Sequence, residues 1–206
     1  MKQNRKVIGI TGGVGAGKSI IMEILRDRYR ADIILSDLTA HRLMEPGEDN
    51  WKGIVECFGR EILRDDGTID RGKLSGLEFS DPEKLAALNA ITHPGVIRRI
   101  REEIRRFRRE GNAPLLAVES ALLPGSGLEE DLDAIWYIYV DDAVRAKRLE
   151  EGRGYTPEKT RSVLEKQKSD AEFRSCASLV IDNSGSVEET EKLISDALDK
   201  EGIILY

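Results

Sequence analysis

The hydrophobic positions of this chain fall into five short runs separated by long charged segments. The runs are Val7–Thr11, Ile33–Ser36, Leu115–Glu119, Ile135–Val140 and Leu179–Asp182. Each is largely apolar at successive positions and does not alternate, the pattern of a strand covered on both faces. The intervening segments carry apolar residues at helical spacing. Strands alternating with helices predict an α/β fold: a parallel five-stranded sheet with helices on both faces. The gap at residues 38–113 is long, and its helical patterns around the turn Asp65-Asp66-Gly67 predict a mostly helical insertion covering the sheet's ligand edge. Over Ile97–Arg109, Ile97, Ile100, Ile104 and Phe107 share one helical face. The opposite face holds seven arginines, from Arg98 to Arg109, and reads as a solvated surface, with anion binding as the alternative. A second charged segment, residues 141–171, contains Arg148, Arg153, Arg161 and Lys166, with Gly152 and Gly154 as flexible points.

Composition narrows the class. A chain of 206 residues buries a core of its own, as one domain with or without a sizeable insertion. With 34% charged and 40% hydrophobic residues it is globular rather than disordered. A formal net charge of -6 argues against a dedicated nucleic-acid binder. Cys57 and Cys176 stand far apart in no metal-type spacing, so they read as two reduced thiols and not as a zinc site or disulfide scaffold. The apolar run Val7–Ile10 is too short for a signal-peptide core, and no stretch approaches membrane-spanning length. The expectation is a cytoplasmic protein with no membrane partner; oligomeric state leaves no signature in the sequence.

The strongest chemical signal is Gly12-Gly13-Val14-Gly15-Ala16-Gly17-Lys18-Ser19, a full G-x-x-x-x-G-K-[ST] match. A strand pattern ends at Thr11, and a helical pattern opens with Ile20, Ile21, Ile24 and Leu25. Glycines let consecutive backbone N–H groups converge on phosphates with no side chain intervening. The following helix adds its positive end. Residues 12–20 are therefore the candidate ATP site, with Lys18 reaching the β- and γ-phosphates and the Ser19 hydroxyl binding Mg²⁺.

The carboxylates separate the phosphate-loop classes. A GTPase needs an Asp-x-x-Gly switch followed by an Asn-Lys-x-Asp base reader. Here the Asp-x-x-Gly at Asp182–Gly185 comes after the lookalike Gln167-Lys168-Ser169-Asp170, which also begins with the wrong residue. A larger ATPase would close a hydrophobic strand with an acidic pair, and Leu115–Glu119 ends in a single carboxylate. A small-molecule kinase needs positioning, charge stabilisation and one carboxylate to take the acceptor's proton. Asp37, just past the second strand, is that candidate, because strand C-termini face the ligand crevice of an open parallel sheet. It also suits an N-cap for a helix at Leu38–Leu43, and the two roles can coexist. Glu119, at the third strand's end, holds the metal's water shell or anchors a turn.

Further motifs, taken in order, resemble the dephospho-CoA kinase family from Val7 to about Ile194. They are the phosphate loop, Ser36-Asp37 with Ala40-His41 and Glu45-Pro46-Gly47, and Asp66-Gly67-Thr68-Ile69-Asp70-Arg71. Leu88-Asn89-Ala90-Ile91-Thr92-His93-Pro94, Arg148-Leu149, Gln167 and Val180-Ile181-Asp182-Asn183-Ser184-Gly185 follow. The resemblance implies transfer of the ATP γ-phosphoryl to the ribose 3′-hydroxyl of dephospho-CoA. It implies a phosphate-loop core (about 1–37, 114–140 and 172–206), a helical CoA-binding insertion (about 38–113) and a mobile lid (about 141–171). It also implies Asp37 as catalytic base, Arg153 as the lid arginine meeting ATP phosphates, and Arg71, His93 and Glu119 on the substrate side. His93 equally suits a helix cap or a packing role, and His41, Trp51 and Trp136 read as structural. The chain departs from the family in carrying Leu35 where many members have a second aspartate. It also carries Ala121-Leu122-Leu123-Pro124-Gly125 where many have Pro-Leu-Leu-Phe-Glu. A nucleoside or nucleotide kinase, and a catalytically silent nucleotide-binding regulator, are the competing readings.

Overall fold

A computed structural model describes residues 5–203, the side chains of residues 77–80 excepted. The outermost residues of the expected core, 1–4 and 204–206, lie outside the described residues. The strands are β1 (Lys6–Thr11), β2 (Asp32–Leu35), β3 (Leu115–Glu119), β4 (Ala134–Tyr139) and β5 (Leu179–Asp182). The helices are α1 (Lys18–Tyr29), α2 (Ser36–Leu43), α3 (Asp49–Phe58), α4 (Arg71–Ser80), α5 (Pro82–Glu110), α6 (Asp142–Arg153), α7 (Pro157–Glu165), α8 (Asp170–Cys176) and α9 (Val187–Lys200). Among the described residues the strands form one five-stranded sheet in the order β2-β3-β1-β4-β5. The registers of β1 with β3, β1 with β4 and β4 with β5 are all parallel. β1 lies between β3 and β4, so the chain winds away from it in both directions. Its C-terminal end is the switch point at which open parallel sheets bind ligands.

The chain divides into two compact units, residues 1–34 with 104–206, and residues 35–103. The first contains the core beneath the phosphate loop. Val7, Ile8 and Ile10 of β1 and Trp136 of β4 are fully buried, which explains why these strands read as continuous apolar runs. Gly9 interrupts the run because a Cβ there would meet the side-chain tips of Leu123 and Leu132 at 2.7 Å. Helices α1, α8 and α9 pack on β3, β4 and β5 respectively.

The second unit has its own small core: Ile54, Ile62, Ile69, Leu74 and Leu88, with Met44, Trp51 and Phe58 packed against it. Three expectations are corrected here. Ser36 starts α2 instead of ending β2, so the helix begins two residues before Leu38. Leu35 is then the N-cap residue, without a side-chain cap, and Asp37 lies in the first turn. There its charge suits the helix's positive end, but it does not cap. The helical face at Ile97–Arg109 belongs to a longer helix, α5, which begins at Pro82 and runs 29 residues, with Pro94 inside it. Proline removes one N–H donor and crowds the preceding turn, which normally ends a helix. Buried Asn50 of α3 donates Nδ2 to the Thr92 carbonyl at 3.2 Å, and the Thr92 hydroxyl donates to the Leu88 carbonyl at 2.9 Å. His93 therefore lies mid-helix and caps nothing.

Candidate active site

The phosphate loop follows from the turn that the glycines permit. β1 ends at Thr11 and α1 begins at Lys18, with Gly17 at the N-cap in the left-handed region at φ 84°. A side chain on Gly17 would be strained there and would collide with the Asn183 amide. Lys18 Nζ donates to the carbonyls of Gly12 (2.9 Å) and Gly13 (3.2 Å) and lies 3.5 Å from Glu119 Oε1. The Lys18 and Glu119 side chains are only 13% and 15% exposed, so the pair is poorly screened. Register explains the meeting: Glu119 sits opposite Ile10, one residue before β1 ends. Ser19 and Ile20 are exposed in the first turn of α1.

Three side chains distant in sequence hold this loop. Gln167 Oε1 accepts the Val14 N–H at 2.9 Å, and Arg145 Nε donates to the Val14 carbonyl at 2.8 Å. Arg145 and Gln167 also bond to each other, closing a clasp around one loop residue. On the other side Asn183, just past β5, donates Nδ2 to the Ala16 carbonyl at 2.8 Å; buried Thr190 donates its hydroxyl to Asn183 Oδ1 at 2.8 Å. Arg148, three residues after Arg145 on the same face of α6, has a buried Nη1 with no hydrogen-bond partner and borders Gly17. An unpartnered buried guanidinium nitrogen beside a phosphate loop is suited to an anionic ligand.

The clasp is supported from behind. Ser169 and Glu172 form a capping box at the start of α8. Phe173 stacks on Tyr137 of β4 at 5.1 Å between centroids, and Arg174 lies over Tyr137 and Tyr139. Burial, with a hydrogen bond to Asp170, pushes the Tyr137 hydroxyl up to about 12. Gln167 thus emerges from a segment pinned to the sheet.

The remaining expected residues are placed as follows. Arg153 is the last residue of α6 and exposed, followed by Gly154 in the left-handed region. Asp37, Arg71 and His93 belong to residues 35–103. Asp37 and Arg71 are exposed, each at the start of its helix. His93 is half-buried, and that burial lowers its pKa. Trp136 is fully buried, and Trp51 donates Nε1 to the Gly67 carbonyl at 2.9 Å, so both are structural as expected. His41 is exposed and lines a cleft with Arg42, Arg64 and Arg71. Sequence reasoning gave no role to Arg145 and left Arg148, Gln167 and Asn183 as motif members without one. The helical phase of Arg145 relative to Arg148 was the available signal.

Known proteins resemble the chain along nearly its whole length. The family described as dephospho-CoA kinase matches residues 6–189. A dephospho-CoA kinase of Carboxydothermus hydrogenoformans is 36% identical over 194 residues, covering 94% of this chain and 93% of the relative. A crystal structure of a Thermus thermophilus protein superposes with a TM-score of 0.75 at 32% identity, covering 95% of this chain and 97% of that one. The Campylobacter jejuni dephospho-CoA kinase shares the fold at a TM-score of 0.65 and 21% identity, covering 96% and 97%.

Proposed function

The chain belongs to the dephospho-CoA kinase family, and from that premise we propose how its residues perform the transfer. The reaction is ATP-dependent phosphorylation of dephospho-CoA at its ribose 3′-hydroxyl, giving coenzyme A and ADP. The observation that carries the reading is Lys18, held at the mouth of a strand–loop–helix phosphate cradle with Glu119 beside it.

In this reading residues 12–20 cradle the ATP phosphates, and Lys18 transfers its hydrogen bonds from the Gly12 and Gly13 carbonyls to phosphate oxygens. Arg148 and Arg153, from the lid at about 141–171, add positive charge as the γ-phosphoryl moves. The acceptor's 3′-oxygen bonds to the γ-phosphorus, the bond from phosphorus to the ADP oxygen breaks, and Asp37 takes the hydroxyl proton. Residues of the insertion at about 38–113, Arg71 and His93 among them, bind the acceptor. The Ser19 hydroxyl would hold Mg²⁺, and Glu119 at the end of β3 would hold its water shell. When bound, Mg²⁺ neutralises charge on the β- and γ-phosphates. No helix among the described residues is long and apolar enough to cross a membrane.

The test is ADP formation across a panel of acceptors: dephospho-CoA, nucleosides, nucleoside monophosphates and small polyols. Turnover with dephospho-CoA at least a hundredfold above the others is expected. Faster turnover with a nucleoside would establish the competing kinase reading.

A further inference from the structure

The phosphate loop is gripped at one residue. Both backbone polar groups of Val14 bond to side chains: its N–H donates to Gln167 Oε1 at 2.9 Å, and its carbonyl accepts from Arg145 Nε at 2.8 Å. Neither peptide plane flanking Val14 can turn without breaking one of these bonds. Arg145 also donates Nη2 to Gln167 Oε1, so that one oxygen accepts from two donors. The Gln167 amide is fixed in its orientation, because Nε2 donates to the Val163 carbonyl at 3.1 Å. Turned over, it would set its own N–H groups against two donors. Gly13 makes the close approach possible. Its backbone stays out of the left-handed region, so conformation alone does not call for glycine there. A Cβ at this position would collide with the Arg145 guanidinium and the Gln167 amide oxygen.

The two partners come from opposite ends of the same excursion of the chain. Arg145 stands in the first turn of α6, its N–H bonded to the Asp141 carbonyl at 2.8 Å. Gln167 lies between the end of α7 and Ser169, the N-cap residue of α8. Its neighbour Lys168 donates Nζ to the Pro124 carbonyl. Helices α6 and α7 pack on each other. The α6–α7 segment, the expected lid, is thus rooted at both ends on Val14. A loop that shifts by a fraction of an ångström misplaces the phosphoryl group it carries, and rate falls steeply with such misplacement.

We propose that Arg145 and Gln167 are positioning residues for the transfer: together they hold Val14, so that the phosphate loop keeps its shape while the α6–α7 segment moves. The proposal rests on the kinase reading above and adds a joint between lid and loop. Its test uses Gln167→Met, Arg145→Met and the double variant, with thermal melting to verify folding. Exchange of the Val14 amide, followed by NMR in the nucleotide-free protein, should accelerate about tenfold or more in Gln167→Met, with β1 amides unchanged. Gln167→Glu keeps the acceptor oxygen and should keep Val14 protected. In both single variants kcat should fall about tenfold or more, with KM for dephospho-CoA within about twofold of wild type. The double variant should lose little more than the worse single one, because both side chains act through one loop residue. Wild-type kcat in folded Gln167→Met would overturn the proposal. So would additive losses in the double variant, or a raised KM for dephospho-CoA and a lowered melting temperature accompanying the loss of kcat. If wild-type protein turns over another acceptor and not dephospho-CoA, the kinase reading fails, while the Val14 exchange still decides whether the clasp holds the loop.

Discussion

Lys18 spends its hydrogen bonds on its own loop, on the Gly12 and Gly13 carbonyls, with Glu119 alongside. Exchanging carbonyls for phosphate oxygens needs little reorganisation, because the ammonium is already at the mouth of the cradle. Lys18→Ala should lower kcat by about 10²–10³, the typical cost of losing one contact to developing charge. Near-normal turnover in a folded variant would contradict the assignment. Asp37 and Glu119 divide along the same lines. Asp37 caps nothing, so Asp37→Asn should leave stability almost unchanged and lower kcat by about 10²–10⁴ with unaltered KM for ATP. Glu119→Gln should mainly raise the Mg²⁺ concentration needed for half-maximal rate. Full kcat in the first variant, and lost kcat with normal Mg²⁺ dependence in the second, would reverse the two roles. Lys18 and Ser19 were legible in the sequence because a contiguous motif carries them. The Arg145–Gln167 clasp was not: its partners lie 131 and 153 residues from Val14, and only the fold brings them together.

At the scale of elements, strand positions followed from sequence to within one residue because each strand reads as an apolar block, although only β1, β3 and β4 are buried along most of their length and the edge strands β2 and β5 are partly exposed. Ser36 was misplaced because a small polar residue at a strand's end fits either side of the boundary. The continuity of α5 was illegible for a stronger reason. Local rules end a helix before Pro94, yet α5 runs through it. Pro94 is exposed, so Pro94→Ala restores a helical donor without removing core packing. Interior proline costs about 3 kcal/mol in a helix, and its stiffening of the unfolded chain returns about 0.4–1 kcal/mol of that. The variant should therefore gain about 2 kcal/mol in urea unfolding; a loss of stability would mean that the helix is built around the proline. The α6–α7 segment provides a second test. Amides around Gly152–Gly154 should exchange more slowly with both substrates bound than in the free protein, as a closing lid requires. Equal exchange in both states would contradict lid closure.

For the whole molecule, the sheet order places the loop after β1 at the switch point, and the second unit carries a core of its own and a cationic cleft. Family membership and the phosphate loop together fix the chemistry as phosphoryl transfer from ATP. The acceptor is what distinguishes this enzyme from other kinases of the same architecture. The most direct measurement is therefore the identity of the product. After incubation of the protein with ATP, Mg²⁺ and dephospho-CoA, ³¹P NMR should show one new phosphomonoester resonance growing in step with ADP. Proton–phosphorus coupling should place it on the ribose 3′ position, and the Lys18→Ala variant should form it about 10²–10³ times more slowly. ADP accumulating without that resonance, or a phosphomonoester at another position, would contradict the account.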